Sequence, residues 1–323
     1  MQNGKHSDPE TPLISVVIPA YNVSNYIGDA LRSVFVQDFE NYEVIVVNDG
    51  STDTPQLEKV LEPYREKVVY IKQDNQGISA ARNAALRVAS GELIALLDAD
   101  DVWMEGKLSD QIAFMKRKRF DMVYGDALLI GDVPWPRGTT FMDRSPSHGP
   151  VTLYNLLDLK VTVVVSTVVM RKDLVEQVGG FDEEDRNIVE DFDLWLRLAH
   201  AGAHIGYQRK LLAKYRYRSD SVSASRIKLH QAALRVLNKT RCSMSLSPAE
   251  RKALDRTEQR LESIMMLERG KNLIVEGELA EARAAFRKAR QTNSSWKIPV
   301  MLLGSWTFPG LLRRYLLKHH ENQ

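Results

Sequence analysis

Cysteine occurs once in 323 residues, at Cys242. One thiol cannot close an intrachain disulfide, so the chain is not a disulfide scaffold and suits a reducing compartment. Long hydrophobic runs are also missing. A membrane-spanning helix needs about 20 mostly apolar residues. The run Val161 to Met170 is too short for that and rich in valine, the pattern of a buried strand. The first dozen residues, MQNGKHSDPETP, lack the apolar core of a secretory signal and are expected to form a loose arm. These absences predict a cytoplasmic chain. A basic front half is absent too. Met1 to Ser225 carries 25 Lys and Arg against 33 Asp and Glu, which argues against a nucleic-acid partner for this part. From Arg226 onward the balance reverses to 19 against 9, so the net charge of +2 hides a basic tail suited to an anionic surface.

What is present has the composition of a soluble globular protein, 44% hydrophobic and 27% charged. Four near-continuous apolar runs stand in the front third: Ile14 to Pro19, Glu43 to Asn48, Val68 to Lys72 and Leu93 to Asp98. Such strands are expected in a sheet covered on both faces. Helical stretches at Tyr26 to Val36, Gln56 to Tyr64 and Ile78 to Ala89 separate them. This alternation predicts an α/β fold with a doubly wound, mostly parallel sheet. Further on, Pro134 to Pro150 reads as a loop, Glu190 to Ala201 as a helix and Lys210 to Tyr217 as a short strand. After Arg226 the pattern is helical throughout. Leu279 to Arg290, with Gly277, resembles part of a tetratricopeptide-type helix pair, present once, so the tail is a helical appendage. The predicted organisation is an arm over 1–12, an α/β domain over 13–225 and a helical region over 226–323.

In a sheet of this kind ligands bind beyond the carboxyl ends of the strands. Polar clusters follow all four runs: Pro19-Ala-Tyr-Asn22, Asn48-Asp-Gly-Ser-Thr-Asp53, Gln73-Asp-Asn-Gln-Gly77 and Asp98-Ala-Asp-Asp101. Three acids at one strand end repel unless a cation or water relieves them. Hard divalent Mg²⁺ or Mn²⁺ suits such oxygen ligands, so Asp98 and Asp100 are candidate metal residues. The bland reading is an acidic loop, with Asp101 capping a helix at Val102-Trp103. Asp49 has a carboxylate fit to accept the imide N–H of a uracil ring; alone it would be an ordinary turn residue. Gly77 opens a helix whose N-terminus is a natural anion site, and Arg82 on its first turns is placed to reach a phosphate or Asp98. In Glu190-Asp-Phe-Asp193, Asp191 is the candidate general base for an acceptor hydroxyl. Otherwise these acids complement the helix dipole. Arg216 and Arg218 read equally as diphosphate donors or as surface charge.

Taken together, these motifs resemble glycosyltransferase family 2, enzymes of the GT-A fold. The resemblance rests on Val16-Val-Ile-Pro-Ala-Tyr-Asn22, Val46-Val-Asn-Asp-Gly-Ser-Thr-Asp53, Asn75-Gln-Gly-Ile-Ser-Ala-Ala-Arg-Asn83, Leu96-Leu-Asp-Ala-Asp-Asp101 and Gly179-Gly-Phe-Asp182, followed by Glu190-Asp-Phe-Asp-Leu-Trp-Leu-Arg197. It spans about residues 13 to 225 and implies an inverting transfer from a nucleotide diphosphate sugar, UDP-linked by preference, to a glycan or lipid-linked acceptor in surface polysaccharide synthesis. By motif, Pro19, Ala20 and Tyr21 line the nucleoside site, Asp49 holds the base, and Gly77 and Arg82 face the donor. Asp98 and Ala99 meet the ribose or sugar, Asp100 ligates Mg²⁺ or Mn²⁺, Asp191 is the base and Glu190 stands on the acceptor side. Arg218, grouped with the donor residues, occupies a place where the family often has histidine, ahead of Ser221 and Ser223. Arginine pairs with diphosphate but does not ligate metal.

Two other functions are open to a chain of this composition. A nucleotidyltransferase would need a glycine-rich basic loop after the first strand, and Ala20-Tyr-Asn-Val-Ser24 is neither. A non-catalytic nucleotide-sugar binder with a partner-recruiting tail has little need for Asp191. The tail segment Trp296 to Leu317 is apolar and aromatic, with Arg313, Arg314 and Lys318 at its end and Pro299 and Pro309 breaking it. It reads as a segment lying on a membrane, or as short helices packed on the tail or forming a homodimer contact.

Overall fold

The computed structural model describes residues 12–184, 188–218, 226–292 and 295–320. Nearly all of the expected N-terminal arm, together with Ser221 and Ser223, lies outside the described residues. The chain divides into two compact units, Met1–Ala224 and Ser225–Gln323.

The first unit opens with β1 (Ile14–Ala20), α1 (Ile27–Phe35), β2 (Tyr42–Asp49), α2 (Thr54–Leu61), β3 (Val68–Gln73), α3 (Ile78–Val88) and β4 (Leu93–Leu96). The strands lie side by side in the order β3-β2-β1-β4, all parallel. Their apolar runs explain this. Val16, Val17 and Ile18 of β1 and Val44 to Val47 of β2 are at most 1% exposed, so both faces are covered. Helix α1 buries Ile27, Ala30, Leu31 and Val34, one face at helical spacing. β3 departs from the expected two-sided cover: it is the edge strand, and Val69 is exposed.

Next come β5 (Val102–Trp103), α4 (Lys107–Lys118), β6 (Met122–Gly131), α5 (Phe141–Arg144), α6 (Leu153–Leu157), β7 (Val169–Arg171), α7 (Lys172–Gln177), α8 (Glu190–His200) and β8 (Ile205–Tyr217). They extend the sheet to β3-β2-β1-β4-β7-β6-β8-β5. β7 is antiparallel to both β4 and β6, so β4 and β6 run the same way. β6 and β8 are parallel, and β5 is antiparallel to β8. The fold is thus α/β with a parallel front half and a mixed rear half.

Four local expectations need correction. The valine run Val161 to Met170 is not one strand: only Val169–Arg171 pairs, after a 3₁₀ turn at Val165–Thr167. The hydroxyls of Ser166 and Thr167 bond to neighbouring segments and compete with the ladder. Asp101 caps no helix, because Val102 and Trp103 form a strand on Lys214 and Ala213. The strand expected at Lys210 begins at Ile205 and runs 13 residues. Within the loop Pro134 to Pro150, one helical turn, α5, is held by a Thr140–Asp143 capping box.

The second unit is α9 (Arg226–Ser243), α10 (Pro248–Glu276), α11 (Leu279–Thr292), α12 (Lys297–Thr307) and α13 (Pro309–His320). α10 starts on a Ser247–Glu250 capping box with Pro248 in its first turn, and ends at Gly277 with φ +96°. Leu267, Ile274, Ala282, Phe286, Ala289, Ile298 and Leu316 form its core. At Gly270 the Phe286 ring lies so close that a Cβ would stand 2.4 Å from it. Gly270→Ala should therefore destabilise this helical unit by about 1–3 kcal/mol through overpacking, read as a lower midpoint in urea unfolding followed by helical circular dichroism. An unchanged midpoint would show that the ring yields.

Candidate active site

The strand ends converge on one cation. Arg82, on α3, is 1% exposed. Its Nη2 lies 2.7 Å from Asp98 Oδ1, just past β4, and its Nη1 pairs with Glu190 Oε1 at the start of α8. The Phe181 ring lies 5.2 Å from the guanidinium. Burial works against the charge, but the two carboxylates outweigh it and raise the Arg82 pKa. Beside it, Asn83 exchanges two hydrogen bonds with the Phe181 backbone: its Nδ2 donates to the carbonyl (2.7 Å), and its Oδ1 accepts from the N–H (2.9 Å). Consecutive residues of one helix thus hold the Gly179-Gly-Phe-Asp segment, the end of β4 and the start of α8.

A second tie secures the acidic loop. Ser166 Oγ accepts the Asp98 N–H (3.1 Å) and donates to Asp101 Oδ2 (2.6 Å). Asp101 Oδ1 accepts the Arg216 N–H (2.7 Å). Asp101 is 1% exposed, and burial, with Asp100 and Asp98 nearby, pushes its pKa well up. Arg216 Nε donates to the Asp100 carbonyl (2.8 Å), and Arg218 Nη1 lies 3.4 Å from Asp100 Oδ2. Both guanidiniums stand over the Tyr26 ring, at 5.1 and 4.8 Å. Burial and Asp98 raise the Asp100 pKa, and Arg218 opposes them.

These ties decide which acids remain free for a metal. Both Asp101 oxygens are engaged. The Asp98 and Asp100 side chains keep 28% and 24% of their exposure. Among the described residues no group of three or more His, Cys, Asp or Glu is arranged to hold an ion. One or two carboxylates fit Mg²⁺ or Mn²⁺ only if substrate phosphates complete the shell. Asp100 fits better, because Asp98 is already paired with Arg82.

Asp191 follows Glu190 on the first turn of α8 and is half-buried. Burial, then the charge of Glu190, pushes its carboxyl up to about 7.

Other predicted residues lie elsewhere than their motifs imply. Arg82 is buried behind Asp98, with both amino groups engaged, rather than turned to a donor. Glu190 is 5% exposed and pairs with Arg82. The Ala20 and Ala99 methyls are 1% and 3% exposed and point into the core, which leaves only their backbone to a ligand. Pro19 is half-buried, and Tyr21 is exposed at the end of β1. Asp49 already accepts from Gln73 Nε2 (2.8 Å), the Gln76 N–H (2.9 Å) and the Gly77 N–H (2.9 Å). It pins the loop between β3 and α3, and one Oδ2 lone pair is left for a base. Gly77, at φ +95°, has spent its N–H on that pin. Ser166, Asn83, Tyr26 and the backbone of Arg216 were not foreseen as site residues. For Ser166 the signal was a polar pair, Ser-Thr, interrupting a valine run.

A cleft of about 430 Å³ opens beside the site, lined by Asp126, Ser147, His148, Tyr207, Arg209 and Lys210 among others. Ile94 pairs with Met170 and Met170 with Met122, so β4 and β6 run in the same direction on either side of β7, the one toward Asp98 and the other toward Asp126. Thr167, next to Ser166, accepts the Gly125 N–H (3.0 Å), and a bulge between Tyr124 and Asp126 redirects the strand there. Another cleft, about 640 Å³, lies at the opposite end of the sheet beside Leu13 and Leu93, away from these acids.

Removing the central cation leaves two carboxylates without a counter-charge. Arg82→Met should lower stability by about 3–5 kcal/mol, and Arg82→Lys should restore only part, since an ammonium lacks the two-armed reach. Urea unfolding of the three proteins checks this. Equal midpoints would remove Arg82 from its central place.

A profile described as Glycosyl transferase family 2 matches residues 15–179. The chain is 34% identical over 223 residues to a putative teichuronic acid biosynthesis glycosyltransferase, TuaG, of Bacillus subtilis, covering 67% of this chain and 84% of that protein. It is 29% identical over 221 residues to the UDP-Glc:alpha-D-GlcNAc-diphosphoundecaprenol beta-1,3-glucosyltransferase WfgD of Escherichia coli, covering 67% and 81%. An uncharacterized glycosyltransferase of Rickettsia felis matches at 28% over 234 residues, but this chain spans only 37% of its length. Among solved structures, S. aureus TarS residues 1–349 in complex with UDP-GlcNAc superposes with a TM-score of 0.63 at 20% identity, over 96% of this chain and 91% of that one. A mannosyltransferase of Pyrobaculum calidifontis in complex with GDP-Man and Mn²⁺ gives 0.59 at 20%, over 95% and 85%. These two likenesses show the fold. The profile covers half of the chain and takes in all four parallel strands and the acids at their ends: the chain belongs to glycosyl transferase family 2 and has the GT-A fold.

Proposed function

We propose that this chain transfers a sugar, with inversion, from a nucleotide diphosphate sugar to a glycan or lipid-linked acceptor. The observation that carries the reading is the Asp98–Arg82–Glu190 bridge. It joins the strand end bearing the donor-side acids to the helix turn bearing Asp191, whose pKa near 7 suits a general base.

The reaction follows from these positions. The Asp191 carboxylate takes the proton of an acceptor hydroxyl. The oxygen forms its bond to the anomeric carbon from the face opposite the diphosphate. The bond from that carbon to the phosphate oxygen breaks, and its electron pair leaves on the nucleoside diphosphate. Arg218, near Asp100, offers charge-assisted donors to that group. Mg²⁺ or Mn²⁺ held by Asp100, with Asp98 beside it, would neutralise charge on the departing diphosphate.

A UDP-sugar is the preferred donor, because the free Asp49 lone pair suits a uracil imide. The TarS complex with UDP-GlcNAc and the donor in the WfgD name support this. A lipid-linked or polymer acceptor is supported by the names of WfgD and TuaG. The acceptor's place is the cleft by Asp126, where Arg209 and Lys210 add positive charge and the Tyr207 ring, stacked on the buried Tyr124, adds an apolar wall.

Four measurements test the assignment. A thermal-shift screen of nucleotide sugars with Mn²⁺ should single out a UDP-sugar, since a ligand of the native state raises its stability. The active form of Asp191 is the anion, so kcat/KM should rise with pH through about 7. The folded pKa lies above the ordinary 3.8, so the group's stabilising contribution is full below that value and lost as pH rises through about 7. Asp191→Asn should thus keep its fold and donor affinity above pH 7 while turnover falls roughly 10²–10⁴-fold. Undiminished turnover would displace Asp191 from the role of base. Arg209→Glu should raise the acceptor KM and leave donor affinity unchanged. An unaltered acceptor KM would place the acceptor elsewhere.

A further inference from the structure

The helical unit carries a surface that glycosyl transfer does not explain. Sixteen large hydrophobic side chains are exposed among the described residues, and eight of them fall between Trp296 and Leu317. Trp296, Val300, Leu303 and Trp306 are 51–70% exposed. Their spacing puts them on one face of α12 and the turn before it. Phe308, Leu311 and Tyr315 continue the surface onto α13, at 52–68%. The same helices are well anchored on their other side. Ile298 and Leu316 are buried in the core, with Met301, Leu302 and Leu312 packed against it. α12 is therefore apolar on two faces, and among the described residues only the inner one packs into the apolar core of the unit.

The charges around this face point to its occupant. No Asp or Glu occurs from Trp296 to His320, whereas Lys297, Arg313, Arg314 and Lys318 do. Arg283 adds a cation from α11: its guanidinium lies 3.9 Å from the Trp306 ring centre, and its Nη2 donates to the Ser305 carbonyl (2.6 Å). A second copy of this chain would set these cations against each other. An anionic headgroup layer complements them, with tryptophan and tyrosine at its edge and leucine below. The helices span 11 and 12 residues, with Phe308 between them and Pro309 opening the second, and no helix of the described residues is long and apolar enough to cross a membrane. The geometry suits lying flat.

We propose that the outer face of α12 and α13 docks on an anionic lipid surface, with Trp296, Leu303, Trp306 and Leu311 inserted at the headgroup boundary. This goes beyond the transfer reaction and stands whether or not Asp191 is its base.

The test uses the full chain and vesicles of phosphatidylcholine alone or mixed with phosphatidylglycerol. The mixed vesicles should carry the protein in flotation, pure phosphatidylcholine should carry far less, and salt should release it. Brominated acyl chains should quench tryptophan fluorescence in the mixed vesicles. Leu303→Glu with Leu311→Glu changes only exposed positions, so folding should be intact by circular dichroism, and vesicle affinity should drop at least tenfold. Undiminished binding by that folded variant would overturn the proposal. Equal binding to both vesicle types would overturn the headgroup assignment. A dimer seen by light scattering and broken by the variant, without vesicle binding, would give the face to a second copy instead.

Discussion

The site depends on one buried guanidinium. Arg82 lies where α3, the end of β4 and the start of α8 meet, and each of its amino groups holds a different carboxylate. A buried cation is costly unless it is paired, and so is each buried anion. Here the costs cancel only when Asp98 and Glu190 are both in place. The interaction is therefore a test of assembly: α8, with Asp191 on its first turn, can close on the sheet only in the register that brings Glu190 to Arg82. Arginine suits this place better than lysine because its planar fork reaches two acids at once.

The acidic loop is held from the other side by neutral groups. Ser166 bonds both to the Asp98 backbone and to the Asp101 carboxylate, and Asp101 in turn holds the backbone of Arg216. The short 3₁₀ turn at Val165–Thr167 is thus a connector rather than an interruption of β7. It also reaches Gly125, so the donor-side acids and the cleft beside Asp126 share one support. A shift of this turn would move the acidic loop and the bulge beside Asp126 together.

Much of this was legible in the sequence, and the reason is the alternation itself. An apolar run followed at once by polar residues marks the carboxyl end of a buried parallel strand, and four such ends in order define a crevice. Pairing across long separations was not legible. Arg82 and Glu190 are 108 residues apart, so neither motif says that the arginine serves the sheet rather than a phosphate. Asp49 shows the same limit. Its motif fits a base ligand, but nothing in it tells that three donors from the end of β3 and the loop after it also hold its carboxylate. The start of β8 is hidden in the sequence because Gln208 and Arg209 part the apolar Ile205–Tyr207 from Leu211 and Leu212; Arg209 is exposed there, and Lys210 pairs with Asp110 of α4. The helical unit was plain from periodicity, but Gly270 against Phe286 could be seen only once two helices were packed.

The charge balance explains why the site retains capacity for a cation. Asp98, Asp100, Asp101, Glu190 and Asp191 crowd into one region, where Arg82 and Arg218 supply two paired positive charges. The fold relieves the excess unevenly. Asp101 and Asp191 are driven up the pKa scale, by burial first and by neighbouring acids second. Glu190 and Asp98 share Arg82. Asp100 is left with a contact to Arg218 at 3.4 Å, long for a charged hydrogen bond. It is also one of the two donor-side acids that keep appreciable exposure. Asp100 thus combines a weak partner with access to solvent. That is a physical ground, beyond the spacing of the two aspartates, for proposing Asp100 as the metal residue, while Asp98, through Arg82, is tied to the helix turn that bears Asp191.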